Sequence, residues 1–375
     1  MPAGRRTSRV VGLVACVLAL AALFGGVARQ TWLLNSATTT VVRLESAGAT
    51  MMHEMMSVLT ELVSAQSAAV RGQTVDAASL RKVFAEMAEL DEQYGDELRT
   101  TQRLADLDRK VSDAIRQGET GRAAYNTYLG LVTLALDLIR LIGDESHLIH
   151  DPDLDSFYLM DAAMIRLPDA VVFAGRAADL VALAGGKALE GEDEIKAAVA
   201  RFGVSDAAEQ VSSGLTVSVD TTDRKVLGSN IAERLDSFKA AADSFAPPTM
   251  LADLATTVDA ATLAANARRV SAAAAPLAHL LLSELQALLD ERSRQLANDL
   301  RFLYIASGLI VVVAIVIGVL ARGRHNRRVA DRGPGDVRQH SRAAPTLSSA
   351  RDLLEAEALV AAGRPRGTRD AGDAQ

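Results

Sequence analysis

The densest group of side chains that could do chemistry lies mid-chain, in the segment DPDLDSFYLMD that begins at Asp151. Asp155, Tyr158, Asp161 and Arg166 supply two carboxylates, a phenol and a guanidinium. About three turns of one helix would carry them. We interpret these four residues as candidates for binding a small polar or anionic ligand.

The beginning of the same segment favours a structural role. Asp151 is expected to cap a helix, because its carboxylate can accept hydrogen bonds from the backbone N–H groups of the first turn. Pro152 would then take the first helical position, where no donor is needed. Pro168 is expected to kink that helix or to end it near Leu167.

Two metal-binding interpretations of this region are weak. Asp151, Asp153 and Asp155 have the spacing of the first three ligands of an EF-hand loop, but the glycine at position 6 and the glutamate at position 12 are absent. His147 and His150, with Asp151 beside them, are candidate zinc or copper ligands that lack an identified fourth ligand. We therefore expect neither a metal site nor a cofactor.

A second group combines four methionines with a histidine. Met51, Met52, Met55 and Met56 flank His53, and on a helix the pairs spaced by four residues share a face. Thioethers and an imidazole could bind Cu(I). Methionine also fills irregular helical cores, and core packing is the expectation here.

Motifs of enzymes do not occur in the sequence. It contains neither a glycine-rich phosphate loop after a strand nor a nucleophile elbow. The single cysteine, Cys16, lies within an apolar stretch, so an intrachain disulfide is excluded. We expect a protein that is not an enzyme.

The segment DPDLDSFYLMDAAMIRLPD resembles the DPDLDSYYLMD…RLPE stretch of the large helical periplasmic sensor regions of bacterial methyl-accepting chemotaxis receptors, and of related sensor kinases and diguanylate cyclases. The stretch 285–300 is similar to the segment that leads those sensors into their second membrane helix. The resemblance covers residues 30–320 and implies an extracytoplasmic sensor module. It also implies a HAMP linker and an output domain after the second span, and the residues after Ala321 are too few for either.

Two apolar stretches bracket the segments described so far. Val10 to Ala28 and Phe302 to Ala321 are each long enough to cross a bilayer as a helix, and neither contains a charge. Arginines precede the first stretch and follow the second, which predicts that both termini are cytoplasmic and the middle is outside. We expect a multi-pass protein of the bacterial cytoplasmic (inner) membrane.

The first stretch has an alternative interpretation. The small residues Gly26, Val27 and Ala28 would suit a signal peptidase, so this span could be a cleaved signal peptide. Its apolar run is longer than is usual for such a peptide, and the following sequence continues a helical pattern. An uncleaved membrane anchor is therefore the favoured interpretation.

Apolar residues recur at helical spacing through almost the whole middle segment, which predicts an all-α protein with about seven helical pieces outside the membrane. Glycine, proline and polar residues predict the breaks between these pieces, at 72–73, 117–118, 151–152, 185–186, 191, 220–223 and 246–248. Long helices with one apolar side pack as bundles. Two stacked four-helix bundles would account for the length, and one elongated bundle is the alternative.

The predicted regions are a cytoplasmic N-terminus (1–9), the first transmembrane helix (10–28), a sensor-like domain (29–301), the second transmembrane helix (302–321) and a disordered basic cytoplasmic tail (322–375).

Charge limits the range of partners. The net charge is −7, and the acidic residues concentrate in the middle segment while the two ends are basic. Such an acidic exterior argues against nucleic acid as a partner. We expect the lipid bilayer, a small polar or anionic ligand, a separate signalling protein and a second copy in a homodimer as partners.

Two functions fit these features. The first is a membrane sensor whose helical exterior binds a ligand or a partner protein and passes a signal through the bilayer. The second is a structural or accessory membrane protein that keeps the sensor fold without signalling. A pocket with converging polar groups would favour the first, and a uniformly apolar core the second.

Overall fold

A computed structural model describes residues 4–150, 154–221, 227–247 and 259–330. The side chains of most residues before 39, of 150–155, of 219–230 and of all residues after 317 lie outside this description. By internal contacts the chain divides into the units Met1–Ala314 and Ile315–Gln375.

The described residues are almost entirely helical and contain no strand, which confirms the all-α prediction. In chain order the helices are α1 (Gly4–Val70), α2 (Ala77–Leu98), α3 (Thr101–Gln117), α4 (Gly121–Glu145), α5 (Leu154–Asp161), α6 (Leu167–Leu183), α7 (Gly191–Thr221), α8 (Leu227–Phe245) and α9 (Ala260–Ala330). A 3-10 turn covers Leu148–His150, and a π-helical turn covers Ala162–Arg166.

Glycines end several helices where the sequence predicts breaks. Gly118 follows α3 with φ +63°, and Gly185 and Gly186 follow α6 with φ +60° and +84°. A left-handed conformation of this kind is strained for residues with a Cβ atom. These turns let each helix fold back along the previous one.

The break between α2 and α3 is not marked by a glycine. The apolar spacing from Leu80 to Ile115 suggests continuous helix, yet α2 ends at Leu98 and Arg99 adopts φ +53°. Thr100 is fully buried, and its hydroxyl donates to Asp91 Oδ1 over 2.5 Å. This tertiary hydrogen bond holds a turn that an arginine would not be expected to form.

The helices pack around one apolar core. Helix α1 contacts α2, α4 and α6, and α6 contacts α7, which in turn contacts α5 and α8. Met51, Met52, Met55 and Met56 are completely buried in this core. The methionine cluster therefore has the packing role expected of it.

Helix α5, the π-helical turn and α6 form one continuous helical run from Leu154 to Leu183. Pro168 lies inside this run, two residues after the π-helical turn ends. A proline cannot donate to the carbonyl four residues before it and clashes with that carbonyl in a regular α-helix. The π-helical turn removes this clash, so the helix continues past Pro168, and α6 begins at Leu167.

Two helices among the described residues are long and apolar enough to cross a membrane, α4 and the stretch Ala260–Ile317 of α9. Half of the apolar window of α4 is buried inside the protein, as expected of a core helix. None of the apolar window of α9 is buried, and Phe302, Ile305 and Leu309 are each at least 66% exposed. The exposed apolar surface of α9 coincides with the predicted second span.

The predicted first span, Val10 to Ala28, lies within α1 and is helical throughout. Its side chains lie mostly outside the described set. Helix α1 continues without a break from this stretch to Val70, as the sequence predicts. Helix α9 likewise runs unbroken through the second apolar stretch.

Candidate functional site

The four residues singled out by the sequence lie on α5 and the π-helical turn. Tyr158 is half-buried, and its ring meets Phe157 edge-on at 5.4 Å. The ring also packs against Gly214 of α7, where an added Cβ would lie 2.9 Å from Tyr158 Cδ1. The side chain of Asp155 lies outside the described set.

Asp161 and Arg166 form an ion pair, with 3.1 Å between Arg166 Nε and Asp161 Oδ2. The two residues are five positions apart, which suits a π-helical turn because its hydrogen bonds join residues at that spacing. Their charges are therefore satisfied by each other. The structure brings these two predicted residues together and places Tyr158 against a neighbouring helix.

Of the candidate metal ligands His147, His150 and Asp151, only His147 has a side chain among the described residues. His147 is exposed with φ +66°, and its Nδ1 lies 3.3 Å from the carbonyl oxygen of Asp144. The side chain of His150 and the whole of Asp151, the predicted helix cap, lie outside the described residues. Within the described part of the chain, no three histidine, cysteine or acidic side chains converge as a metal site.

A cavity of about 500 Å³ lies between α1, α6 and α9, and we call it the α1–α6–α9 cavity. Small residues form much of its wall, namely Ala68, Gly175, Ala178, Ala264, Ala267, Ala272 and Ala275. Polar side chains also converge on it, namely Thr60, Glu61, Ser64, Ser67, Arg71, Gln73, Arg268 and Ser271. Its volume falls within the range of small-molecule sites.

Two charges of this cavity have no ion-pair partner among the described residues. Glu61 is half-buried, and burial raises the pKa of its carboxyl, with a smaller contribution from the nearby Asp76 carboxylate. Arg268 is exposed and enters the cavity from α9. A carboxylate and a guanidinium thus face the same space without neutralising each other.

The third charge, Arg71, is anchored by a buried carboxylate. Asp179 has no exposed surface and accepts hydrogen bonds from Gln66 Nε2 (2.9 Å), Ser67 Oγ (2.8 Å) and an Arg71 guanidinium nitrogen (2.9 Å). Burial raises the pKa of Asp179, and the bond from Gln66 and the charge of Arg71 oppose that rise. Gln66 Oε1 is buried without a hydrogen-bond partner. This network fixes the side chain of Arg71 at the cavity wall.

Backbone features complete the cavity. An added Cβ at Gly175 would lie 2.5 Å from Val63 Cγ1, so glycine permits the close approach of α1 and α6 there. Pro276 lies inside α9 and lacks an N–H, so the carbonyl of Ala272 is left without its usual helical donor. Both Ala272 and Pro276 line the cavity.

Sequence reasoning missed this site. Glu61 and Arg268 are far apart in the sequence and belong to no motif, whereas Tyr158, Asp161 and Arg166 do not line this cavity. The sequence feature that could have indicated this cavity is the presence of several polar residues on otherwise apolar faces of α1 and α9.

The chain matches no protein-family model, no curated protein and no solved structure. The described residues define an all-helical protein with two helices long and apolar enough to span a membrane, of which α4 is half-buried in the core.

Proposed function

We propose that this chain is a two-span inner-membrane sensor whose extracytoplasmic helical bundle binds a small polar ligand. One observation carries the proposal. Helices α1 and α9 both line the α1–α6–α9 cavity, and the same two helices contain the two apolar stretches. A ligand that moves either helix at the cavity would move the attached membrane helix, because an α-helix transmits displacement along its axis.

The charges of the cavity support a ligand that carries both a cationic and an anionic group. Glu61 would pair with the cationic group, while Arg268 and Arg71 would hold the anionic one. A charge that is partly removed from water gains most from a partner that satisfies it directly. The four hydroxyl groups and the amide of Gln73 would bind the remaining polar atoms of the ligand.

The arginine-rich flanks of the apolar stretches support a topology with both termini inside and residues 29–301 outside. Signal would then pass to a separate protein in the cytoplasm, and a homodimer would double the number of coupled membrane helices. The structural or accessory function remains the alternative if no ligand binds.

Topology is tested with reporter fusions. Alkaline phosphatase fused after Val199 should be active, because it is folded only outside the cytoplasm, and the same enzyme fused after Arg328 should be inactive. The opposite pattern would refute the sensor arrangement. Equal activity of both fusions would also refute it.

Ligand binding is tested by thermal melting of the full chain in detergent against amino acids, organic acids and amines. A stabilising compound should raise the melting temperature with the logarithm of its concentration. Analogues lacking the amine or the carboxylate should stabilise much less. A panel without any stabilising compound would favour the structural function.

Variants then locate the ligand. Glu61→Gln and Arg268→Gln should each weaken the stabilisation, whereas Arg269→Gln, a neighbouring exposed arginine outside the cavity, should leave it unchanged. Arg166→Ala tests the site indicated by the sequence, formed by Asp155, Tyr158, Asp161 and Arg166. Loss of binding in Arg166→Ala alone would move the ligand to that second location.

A further inference from the structure

The imidazole rings of His53 and His279 form a contact between α1 and α9 that ligand binding does not require. Their ring centroids lie 3.9 Å apart, with the planes tilted by 31°. A cavity of about 470 Å³ beside the pair shares Ala275 and Pro276 with the α1–α6–α9 cavity. The histidine contact is therefore adjacent to the proposed ligand site, on the same two helices.

The surroundings of the pair differ for its two members. His53 Nδ1 lies 3.6 Å from Glu54 Oε1, which brings a carboxylate to one side of the pair. His279 Nε2 is buried and has no hydrogen-bond partner. Arg234 of α8 brings a permanent positive charge to the cavity beside the pair, and Ser283 brings a hydroxyl group.

A proton on His279 meets two unfavourable effects. Burial, followed by the neighbouring His53, lowers the pKa of His279 from 6.5 to about 4. At neutral pH His279 is therefore uncharged, and the two rings can stack.

We propose that the His53–His279 pair is a proton-operated contact that holds α1 against α9 when His279 is neutral and separates them when His279 takes up a proton. In the separated state His279 would regain its ordinary pKa. That state therefore binds more protons than the closed one as the pH falls from 6.5 to 4, and acidification favours it. The device would let proton concentration act on the same helices as the ligand.

The test measures the separation of α1 and α9 in the full chain in detergent by pulsed electron paramagnetic resonance. Cys16 is first replaced by serine, because it is the sole cysteine. Spin labels are then attached at Arg43→Cys on α1 and Asp290→Cys on α9, two exposed positions. The distance distribution should shift to longer distances between pH 7.5 and pH 4.

Variants separate the pair from general effects of acid. His279→Phe keeps an aromatic ring that cannot be protonated, and its distance distribution should not respond to pH. His53→Phe removes the smaller of the two effects on His279, so it should reduce the response without abolishing it, and it serves as the second variant if the first does not fold. His147→Asn removes an exposed histidine outside the contact, at a left-handed position that asparagine tolerates, and should keep the wild-type response. An unchanged wild-type distance, a shift that persists in His279→Phe, or a shift of wild-type size in His53→Phe would overturn the proposal.

Discussion

Asp179 is a carboxylate without solvent contact, held in the interface between α1 and α6. Three donors surround it, of which Gln66 and Ser67 belong to α1 and Arg71 directly follows that helix. Arg71 also lines the α1–α6–α9 cavity. A buried charge is tolerated only when its partners are in place. Asp179 therefore links the packing of the two helices to the position of a cavity charge.

We expect Asp179→Ala to lower the free energy of unfolding by about 3–5 kcal/mol, since Arg71 would be left without its buried partner. Asp179→Asn should cost less, because its amide oxygen still accepts one or two of the hydrogen bonds. Denaturant unfolding followed by circular dichroism measures both effects.

A matched control is Asp137→Ala, which removes an exposed carboxylate paired with Arg140 on the surface of α4. Surface ion pairs contribute about 0–1 kcal/mol, so this variant should be nearly neutral. Equal losses in Asp137→Ala and Asp179→Ala would contradict a structural role for the buried network.

At the scale of elements, the approach of α1 to α6 depends on a glycine. Gly175 faces Val63 so closely that a methyl group would overlap it. Overpacking of this kind costs about 1–3 kcal/mol because neighbouring helices must shift. The same shift would widen or distort the α1–α6–α9 cavity, which both residues line.

We therefore expect Gly175→Ala to destabilise the protein by about 1–3 kcal/mol, as measured by denaturant unfolding. Combining it with Val63→Ala should restore part of the loss relative to the sum of the two single changes. Gly130→Ala is the control, because nothing lies within 4 Å of an added Cβ on that exposed side of α4. This control should be neutral or stabilising by up to about 1 kcal/mol, since alanine favours helix. Strict additivity of Gly175→Ala and Val63→Ala would argue against the clash.

At the scale of the whole molecule, the question is whether the first apolar stretch is kept as a membrane anchor or removed by cleavage after Ala28. One helix runs from Gly4 through Ala28 to Val70, without a turn at the candidate cleavage position. The apolar run of a signal peptide is about 7–15 residues long, which is shorter than the first apolar stretch of this chain. An uncleaved anchor is therefore the outcome that the sequence predicts.

We expect the protein purified from bacterial membranes to retain its first 28 residues, as read from its intact mass. Replacing Ala28 with a bulky residue should leave that mass unchanged apart from the substitution. An N-terminus at Arg29, lost in the Ala28 variant, would show that the first apolar stretch is a cleaved signal peptide.

Local sequence features predicted much of this fold. Periodic apolar residues indicated helices because one side of each must be buried, and glycines at 118, 185 and 186 indicated turns because left-handed backbone is strained elsewhere. The methionine cluster was assigned to the core for the same reason of apolar burial. These inferences need only the chemistry of neighbouring residues.

Other features depend on which side chains meet once the chain is folded. The turn at Arg99 is held by the contact of Thr100 with Asp91, and the burial of Tyr158 depends on Gly214 of another helix. The π-helical turn before Pro168 resolves a steric conflict that could equally have ended the helix. In each case the local sequence is compatible with more than one backbone or side-chain conformation, and packing determines which one is adopted.

The sequence by itself determined that the protein is helical, that two stretches are apolar enough to span a membrane and that long helices lead out of them, since these follow from composition and periodicity. Only the tertiary structure decided where charges converge. Glu61, Arg71 and Arg268 share one cavity because α1 and α9 lie side by side there, while Asp161 and Arg166 neutralise each other on one helical run. The physical reason is that a binding site is a property of side chains brought together across helices, and spacing along one helix cannot specify which faces meet.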